Sequence, residues 1–397
     1  MPSTRTFDYL LVGGGLQNAL IALALLQRRP DASICLIEKD GALAGSHTWS
    51  FHPDDVPSSS MSYVGPLVEY EWPDYEVRFP GLTRRLGHRY RTVTSSRVDR
   101  WLQRSFASAP HCELRLGASA EEIGPDTVRL SSGETLAGQM IIDARGPERH
   151  ASGPAFGYQK FVGLEIRLDS PAGPQRPIVM DGTVEQVDGF RFMYVLPLEP
   201  DRLLLEDTYY SDSPLLERER IRERIERYLE QSGWARPGRW QVEREEHGVL
   251  PIPLKIMGPP QAKKPLLGGY AGGWFHPTTA YSFPTAVRLA EHVSTRPVDV
   301  LFDQEWEALV SQLRSQGAYC VWLNRLLFLG VEPAQRWRVL ARFYRLPEAT
   351  IRRFYALQLT PADRSRILIG RLPEGVSLRG LWNVARSLTE PWYASAR

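Results

Sequence analysis

Three consecutive glycines, Gly13, Gly14 and Gly15, stand between the apolar run Tyr9-Leu10-Leu11-Val12 and the stretch Leu16 to Arg28. An acidic residue, Glu38, closes the next apolar run, Ser33 to Ile37. That order of residue types has a chemical use. Glycines let a chain turn tightly with no Cβ in the way, and the free N–H groups and dipole at a helix N-terminus hold a pyrophosphate. A carboxylate about twenty residues on accepts from a ribose hydroxyl. The pattern predicts a dinucleotide site on a strand–helix–strand unit, with Gly13, Gly15, Leu16 and Gln17 at the turn and Glu38 and Lys39 at the second strand. Asn18 replaces the third glycine of G-x-G-x-x-G, so helix and strand are expected to sit slightly further apart.

The second chemical feature is a pair of adjacent carboxylates in Arg202-Leu-Leu-Leu-Glu-Asp-Thr208. In a regular strand, Leu204, Glu206 and Thr208 share one face, and Leu205, Asp207 and Tyr209 share the other. Only one of the two acids can therefore enter a given pocket.

These groups need elements to hold them. The loop after Glu38, Gly-Ser-His47-Thr-Trp49-Ser-Phe51-His52, leaves the carboxyl end of a strand, where ligands gather in α/β sheets. It reads either as a plain surface loop or as a segment beside the cofactor, with Trp49 in contact. Residues 53–80 read as irregular, and a helix is expected from about Val93, where Arg97 is either a cofactor contact or an ordinary helix-start arginine. The apolar strand Gln139 to Asp143 runs into Asp143-Ala-Arg-Gly146, a further glycine turn placed in the same sheet. From Lys160 to about Leu254 the apolar pattern changes to period two, predicting a second, largely antiparallel sheet. Pro214 to Gln231 reads as a solvated helix of interleaved Arg and Glu, and Val249 to Leu254 as a Pro-limited extended piece. Pro265 to Glu291 repeats strand, glycines, helix, and places Gly272, Gly273, His276, Pro277 and Thr278 near a second helix N-terminus aimed at the same cofactor. His276 is equally readable as a satisfied core histidine. Trp49, Phe51, Trp274 and Phe275 are either tunnel lining or plain core.

From Phe302 onward the chain is expected to be helical. Twelve arginines occur from Arg336 to the end, among them Arg371, Arg379, Arg386 and Arg397, against Glu348, Asp363, Glu374 and Glu390. Two readings stay open: a basic amphipathic face for an anionic membrane surface, or a helical cap with a basic exterior. The organisation predicted is α/β, with a cofactor domain of residues 1–146 plus 256–300, an inserted sheet domain of 147–255 and a helical region of 301–397.

Composition narrows the function. A formal net charge of +2 offers no bulk electrostatic case for nucleic acid. Three separated cysteines, Cys35, Cys112 and Cys320, form neither a zinc pattern nor a disulfide framework, which suits a reducing cytoplasm. No apolar run reaches the ~18 residues of a membrane span, and no signal peptide is expected ahead of the first strand.

Taken together, the glycine start with Asn18, Ile178-Val-Met-Asp181, Leu204-Leu-Glu-Asp-Thr208, Gly248-Val-Leu-Pro-Ile-Pro253, Phe275-His-Pro-Thr-Thr279 and Leu323-Asn-Arg-Leu-Leu-Phe328 with Arg336-Trp-Arg-Val resemble the bacterial lycopene β-cyclases. The likeness runs over nearly the whole chain. Two positions differ from that pattern: Ala280 stands where many members have Gly, and Tyr270 where related flavoenzymes carry Asp.

The resemblance implies FAD on a glutathione-reductase-like Rossmann domain, NADPH or NADH as electron donor, lycopene as substrate and a peripheral place on the cytoplasmic membrane surface. It matches the family's acid to Glu206, dried by the three leucines before it, with Asp207 as a positioning residue. Desolvation raises a carboxyl pKa and so keeps an acid protonated near neutral pH. A second proton acceptor would be Glu206 itself, Glu165 or Asp181. Two other classes share the cofactor domain: an FAD/NADPH-dependent monooxygenase acting on a polyene or prenyl lipid, and a non-catalytic carrier of such lipids.

Overall fold

The computed structural model describes residues 5–146, 156–258, 260–369, Trp382 and Val384. The N-terminal apolar runs form a parallel core: Thr6–Val12 lies between Ile34–Glu38 and Thr135–Asp143, and Ile34–Glu38 also pairs with Glu113–Leu116. Leu266–Leu267 adds a short parallel strand beside Ile142 and Asp143, and an antiparallel extension of Thr127–Leu130 and Ala120–Ile123 completes the sheet. Both faces are covered, as a parallel sheet requires. Tyr9 and Leu11 meet helices Leu16–Arg28 and Phe283–Thr295 on one side. Phe7, Leu10 and Val12 pack with Val128, Leu130 and Leu136 on the other.

Asn18 explains how the first turn tolerates the missing glycine. Its buried amide donates to the carbonyls of Val12 (3.0 Å) and Gly13 (2.9 Å), tying the helix to the strand end where a glycine would merely allow close approach. Gly13 itself adopts φ 92, and a Cβ there would lie 2.8 Å from the Ala144 backbone.

The second sheet runs in the order Trp240–Pro253, Phe156–Leu168, Arg202–Ser211, Phe190–Glu199, Ile178–Asp181, Tyr75–Phe79, Leu82–Leu86. Its strand Tyr75–Phe79 lies within residues 53–80, which the sequence reads as irregular. Residues 53–80 contain short helical turns, the strand Tyr70–Trp72 and the strand Tyr75–Phe79, whose Tyr75, Val77 and Phe79 are buried in alternation. Prolines and polar residues on either side mask that short period-two signal. The extended piece at Val249 likewise proves to be the end of a 14-residue strand beginning at Trp240.

Each face of this sheet has its own cover. Helix Arg218–Gln231 presents Ile221, Ile225 and Leu229 to Val162, Leu164, Met193, Leu203, Leu205 and Tyr209. Most of its Arg and Glu residues face outward, with Arg222 and Glu226 paired at 3.4 Å, whereas Arg224 donates to the buried Tyr209 hydroxyl. The opposite face packs Phe190, Phe192, Leu204 and Tyr210 toward the C-terminal helices Gln304–Gly330, Arg336–Phe343 and Glu348–Tyr355.

Many arginines of the helical region serve the protein rather than its exterior. Arg336 is fully buried and donates to Asp212 (2.7 Å) and to the carbonyls of Tyr210, Leu327 and Phe328. Arg353 and Arg366 converge on Asp363, and Arg352 reaches Asp54 at 2.8 Å. Arg371, Arg379, Arg386, Arg397, Glu374 and Glu390 lie outside the described residues. Among the described residues, no helix is long and apolar enough to cross a membrane.

The close approach at Gly13 gives a direct test. Gly13→Ala combines a left-handed φ with a backbone clash, so it should lower unfolding stability by more than about 1 kcal/mol. Urea unfolding of the apoprotein measures this.

Candidate active site

One cavity of about 920 Å³ is lined by residues of both sheets. Part of its wall is the glycine turn: Gly13, Gly15, Leu16, Gln17, Glu38, Lys39 and, from the neighbouring strand end, Ala144, Arg145 and Gly146. A Cβ built on Gly15 meets nothing within 4 Å, so the head of helix Leu16–Arg28 opens on space. That helix has no side-chain cap and no acidic residue in its first turn, leaving free N–H donors and an uncompensated positive dipole end. Glu38 accepts from Gly14 N–H at 2.6 Å and Asp40 N–H at 2.9 Å, which fixes its carboxylate at the rim. This wall fits the phosphates and ribose of a dinucleotide.

The second glycine turn contributes differently from the first. Gly269, Tyr270, Trp274, Thr279, Ala280 and Ser282 line the cavity. Gly272, Gly273, His276, Pro277 and Thr278 do not. Gly272 is required by packing, since a Cβ there would fall 2.0 Å from the Leu267 carbonyl. Both ring nitrogens of His276 are engaged: Nδ1 accepts from Thr278 N–H and Nε2 donates to the Phe354 carbonyl. Burial pushes its pKa down to about 4, leaving a neutral core imidazole. Asn324 donates to the Pro277 carbonyl and the Thr278 hydroxyl to the Cys320 carbonyl, so both residues dock the long C-terminal helix. Ala280 has φ 55, a conformation glycine adopts without strain, and its carbonyl accepts from the Tyr270 hydroxyl.

The rest of the wall is aromatic. Phe161, Phe192, Tyr194 and Tyr210 come from the second sheet, Tyr75 and Tyr90 from the N-terminal excursion, and Tyr344 and Tyr355 from the C-terminal helices. Glu206 opens onto this space. Its strand neighbours divide by face: Leu204 packs toward the cavity side, whereas Leu203 and Leu205 belong to the core under helix Arg218–Gln231. Strand alternation thus lets only one of the three leucines share the face of Glu206, and phenylalanine and tyrosine rings supply the remaining apolar surroundings. Thr208 donates to Glu206 Oε1. Glu206 is half-buried, and desolvation pushes its pKa up to about 8, with the nearby Glu246 adding in the same direction.

The other acids are committed elsewhere. Asp207 points to the opposite face, where both its oxygens accept from Arg191 Nε (2.8 and 3.0 Å) and Oδ2 also takes the Tyr209 hydroxyl at 2.7 Å. Glu165 is buried between Arg202 and Arg244. Asp181 is buried, accepting from Thr183 and from Tyr228 at 2.8 Å. None of the three lines the cavity. Asp143 turns its carboxylate onto Arg145. Arg97 donates to the Pro66 carbonyl and stands over the Trp101 ring, also off the cavity wall. Trp49 and Trp274 line it, whereas Phe51 stacks on Phe283 and Phe275 on Tyr270.

Sequence reading does not single out the wall tyrosines or Glu246. Tyr194 sits directly opposite Glu206 and Phe192 opposite Thr208, so alternation on Phe190-Arg-Phe-Met-Tyr194 carried that signal. Tyr75, Tyr90, Tyr344 and Tyr355 are brought in from distant segments, which no local pattern reveals.

The family model described as "Lycopene cyclase protein" matches residues 8–379. The chain belongs to the lycopene cyclase family. It is 43% identical over 376 residues to a lycopene beta-cyclase of Pantoea ananas, covering 92% of this chain and 95% of that one. It is 41% identical over 390 residues to a lycopene beta-cyclase of Pseudescherichia vulneris, covering 95% and 97%. Among solved structures, a p-nitrophenol 4-monooxygenase from Pseudomonas putida superposes with a TM-score of 0.62 at 15% identity, over 92% of this chain and 98% of the other. That likeness is one of fold: mixed α/β, with sheet and helical parts.

Asp207 and Arg191 make the lower face of the acid strand testable. Asp207→Ala leaves the Arg191 guanidinium buried without its partner and should cost about 3–5 kcal/mol of stability. Chemical denaturation of the two proteins reads the difference.

Proposed function

We propose that this chain closes the linear ψ-ends of lycopene into β-ionone rings, giving β-carotene through the one-ring product γ-carotene, with no net redox change. One observation carries the reading. A carboxyl whose pKa burial pushes up to about 8, Glu206, opens into an aromatic-walled cavity that also reaches a glycine turn suited to a dinucleotide. We read the parallel sheet as a Rossmann domain of the glutathione-reductase kind and the second sheet as the substrate-binding part.

Gly13, Gly15, Leu16 and Gln17 would hold the pyrophosphate of FAD, with Glu38 on its ribose. Bound there and kept reduced by NADPH or NADH, FAD would supply negative charge beside a developing carbocation. The protein's own part is acid–base work. Glu206, protonated below its raised pKa, delivers a proton to C2 of the ψ-end. Thr208 holds Oε1 and so fixes which way the acid points. The aromatic wall excludes water that would otherwise trap the cation. Loss of a proton from near C6 completes the ring, and the formula of the substrate is unchanged. Glu165 and Asp181 are engaged away from the cavity, so Glu206, left as carboxylate by the first step, is the base nearest to hand.

Lycopene dissolves in lipid, and the described surface offers a means of reaching it. Leu368, Ile369 and Trp382 are exposed apolar side chains in the basic C-terminal region, a combination suited to a peripheral place on the cytoplasmic face of an anionic bilayer.

Four outcomes test the reading. Incubation with lycopene, FAD and NADPH under anaerobic conditions should yield a cyclised product of unchanged mass, whereas a monooxygenase would add oxygen. Glu206→Gln should lower turnover by at least about 100-fold, the usual scale of a lost general acid; full activity in that variant would reject the assignment. Because the acid must be protonated, turnover should fall as pH rises through about 8. Sedimentation with vesicles should show binding that grows with anionic lipid content and weakens with salt.

A further inference from the structure

Glu206 has a second carboxylate for a neighbour, held in place by an absence. Gly163 is paired with Glu206 on one side and with Glu246 on the other. Residues directly opposite one another in antiparallel strands share a face, so the three stand in one row with no side chain between the two acids. Glu246 occupies the gap: a Cβ on Gly163 would come 3.0 Å from its Cγ and 3.3 Å from its Oε1. Its other oxygen accepts from Arg244 Nη1 at 2.8 Å, and Arg244 extends to Glu165 and to Thr48, a residue of the cavity wall.

We propose that Glu246 is a positioning residue for the cyclisation: as the carboxylate ion-paired to Arg244, it faces Glu206 across Gly163 and keeps the proton on Glu206. The inference rests on the reading of Glu206 as the acid. It assigns the two carboxyls different states. Burial raises the pKa of Glu246 but Arg244 pulls it back, so Glu246 gives up its proton before Glu206, and the resulting charge opposes ionisation of its neighbour. Two like charges this close cannot both form without cost, so a single negative charge stays on the member that has the guanidinium.

The other groups around Glu206 leave this role to Glu246. Tyr194, opposite on the next strand, is a neutral phenol bonded to Ser50 (2.7 Å) and Tyr90 (3.1 Å). Asp207 lies on the far face against Arg191. His47 and His52, which line the same cavity, are driven toward the neutral form by burial, and Tyr210 is likewise kept a phenol. Glu38, Lys39, Asp40 and Arg145 line the cavity as part of the glycine-turn region. Arg244 is the cation nearest in this network, and Glu246 stands with it.

The test uses the full-length holoenzyme with lycopene and follows turnover against pH together with the infrared carboxyl C=O band of Glu206, identified by its loss in Glu206→Gln. With the charge removed in Glu246→Gln, both the alkaline limb of turnover and the pH at which the band disappears should move down by about one pH unit, from Coulomb's law at an effective dielectric near 20. Glu246→Asp keeps the charge and should restore most of that shift. If Glu246→Gln does not fold, Glu246→Met supplies the uncharged side chain for the same measurement. An unmoved band in the folded uncharged variant, or an equal shift in Glu246→Asp, overturns the proposal. If Glu206→Gln retains full activity, the cyclase reading of Glu206 has failed instead, which separates the two cases.

Discussion

A carboxylic acid keeps its proton near neutral pH only where its anion is poorly solvated, and on the reading proposed for Glu206 that requirement organises the second sheet. Water must be kept from one side chain while a large apolar substrate is admitted beside it. The second sheet meets the first demand by giving its two faces opposite tasks. Below the acid strand, Leu203, Leu205 and the Asp207–Arg191 pair lock against helix Arg218–Gln231. Above it, Glu206 looks into rings contributed by three separate parts of the chain. A one-residue slip of this strand would exchange the two environments and put the ion-paired acid in the cavity. The extensive pairing on both sides of the strand, ten register positions with Phe156–Leu168 and nine with Phe190–Glu199, holds it against that slip.

The same economy of faces explains the two glycine turns. Both end short parallel strands of one sheet, and both precede a helix whose first turn reaches the cavity wall. The first passes directly into its helix. The second uses its glycines to fold back on Leu267, and its helix starts only at Phe283. Repeated sequence grammar here reflects a repeated strand-to-helix step, with the cavity-lining residues set at different distances from the glycines.

Much of this was legible in the sequence because it is local. The first strand, helix and second strand follow from apolar runs and glycines, and the faces of Glu206 and Asp207 follow from alternation alone. The second helix turn was legible only in outline, since Gly272 and His276 satisfy packing and hydrogen bonds that depend on Leu267 and Phe354. The wall tyrosines and the partner of Glu206 were not legible, because cross-strand pairing between residues 163, 206 and 246 is set by register, which no short window contains. Residues 75–79 failed for a plainer reason: five alternating residues between Pro- and Asp-rich flanks are too few to outweigh their surroundings.

Those five residues have a consequence for how the molecule comes to exist. Tyr75–Phe79 lies parallel to Ile178–Asp181, about a hundred residues later in the chain, and closes the edge of the second sheet together with Leu82–Leu86. The stretch 147–255 is thus no autonomous module. Severed from the N-terminal segment, it would present Ile178–Asp181 as a bare edge, an invitation to pair with another molecule. During synthesis the N-terminal hairpin must wait for its partner strand to emerge, so the two sheets are sewn together by the chain's own path and mature as one piece.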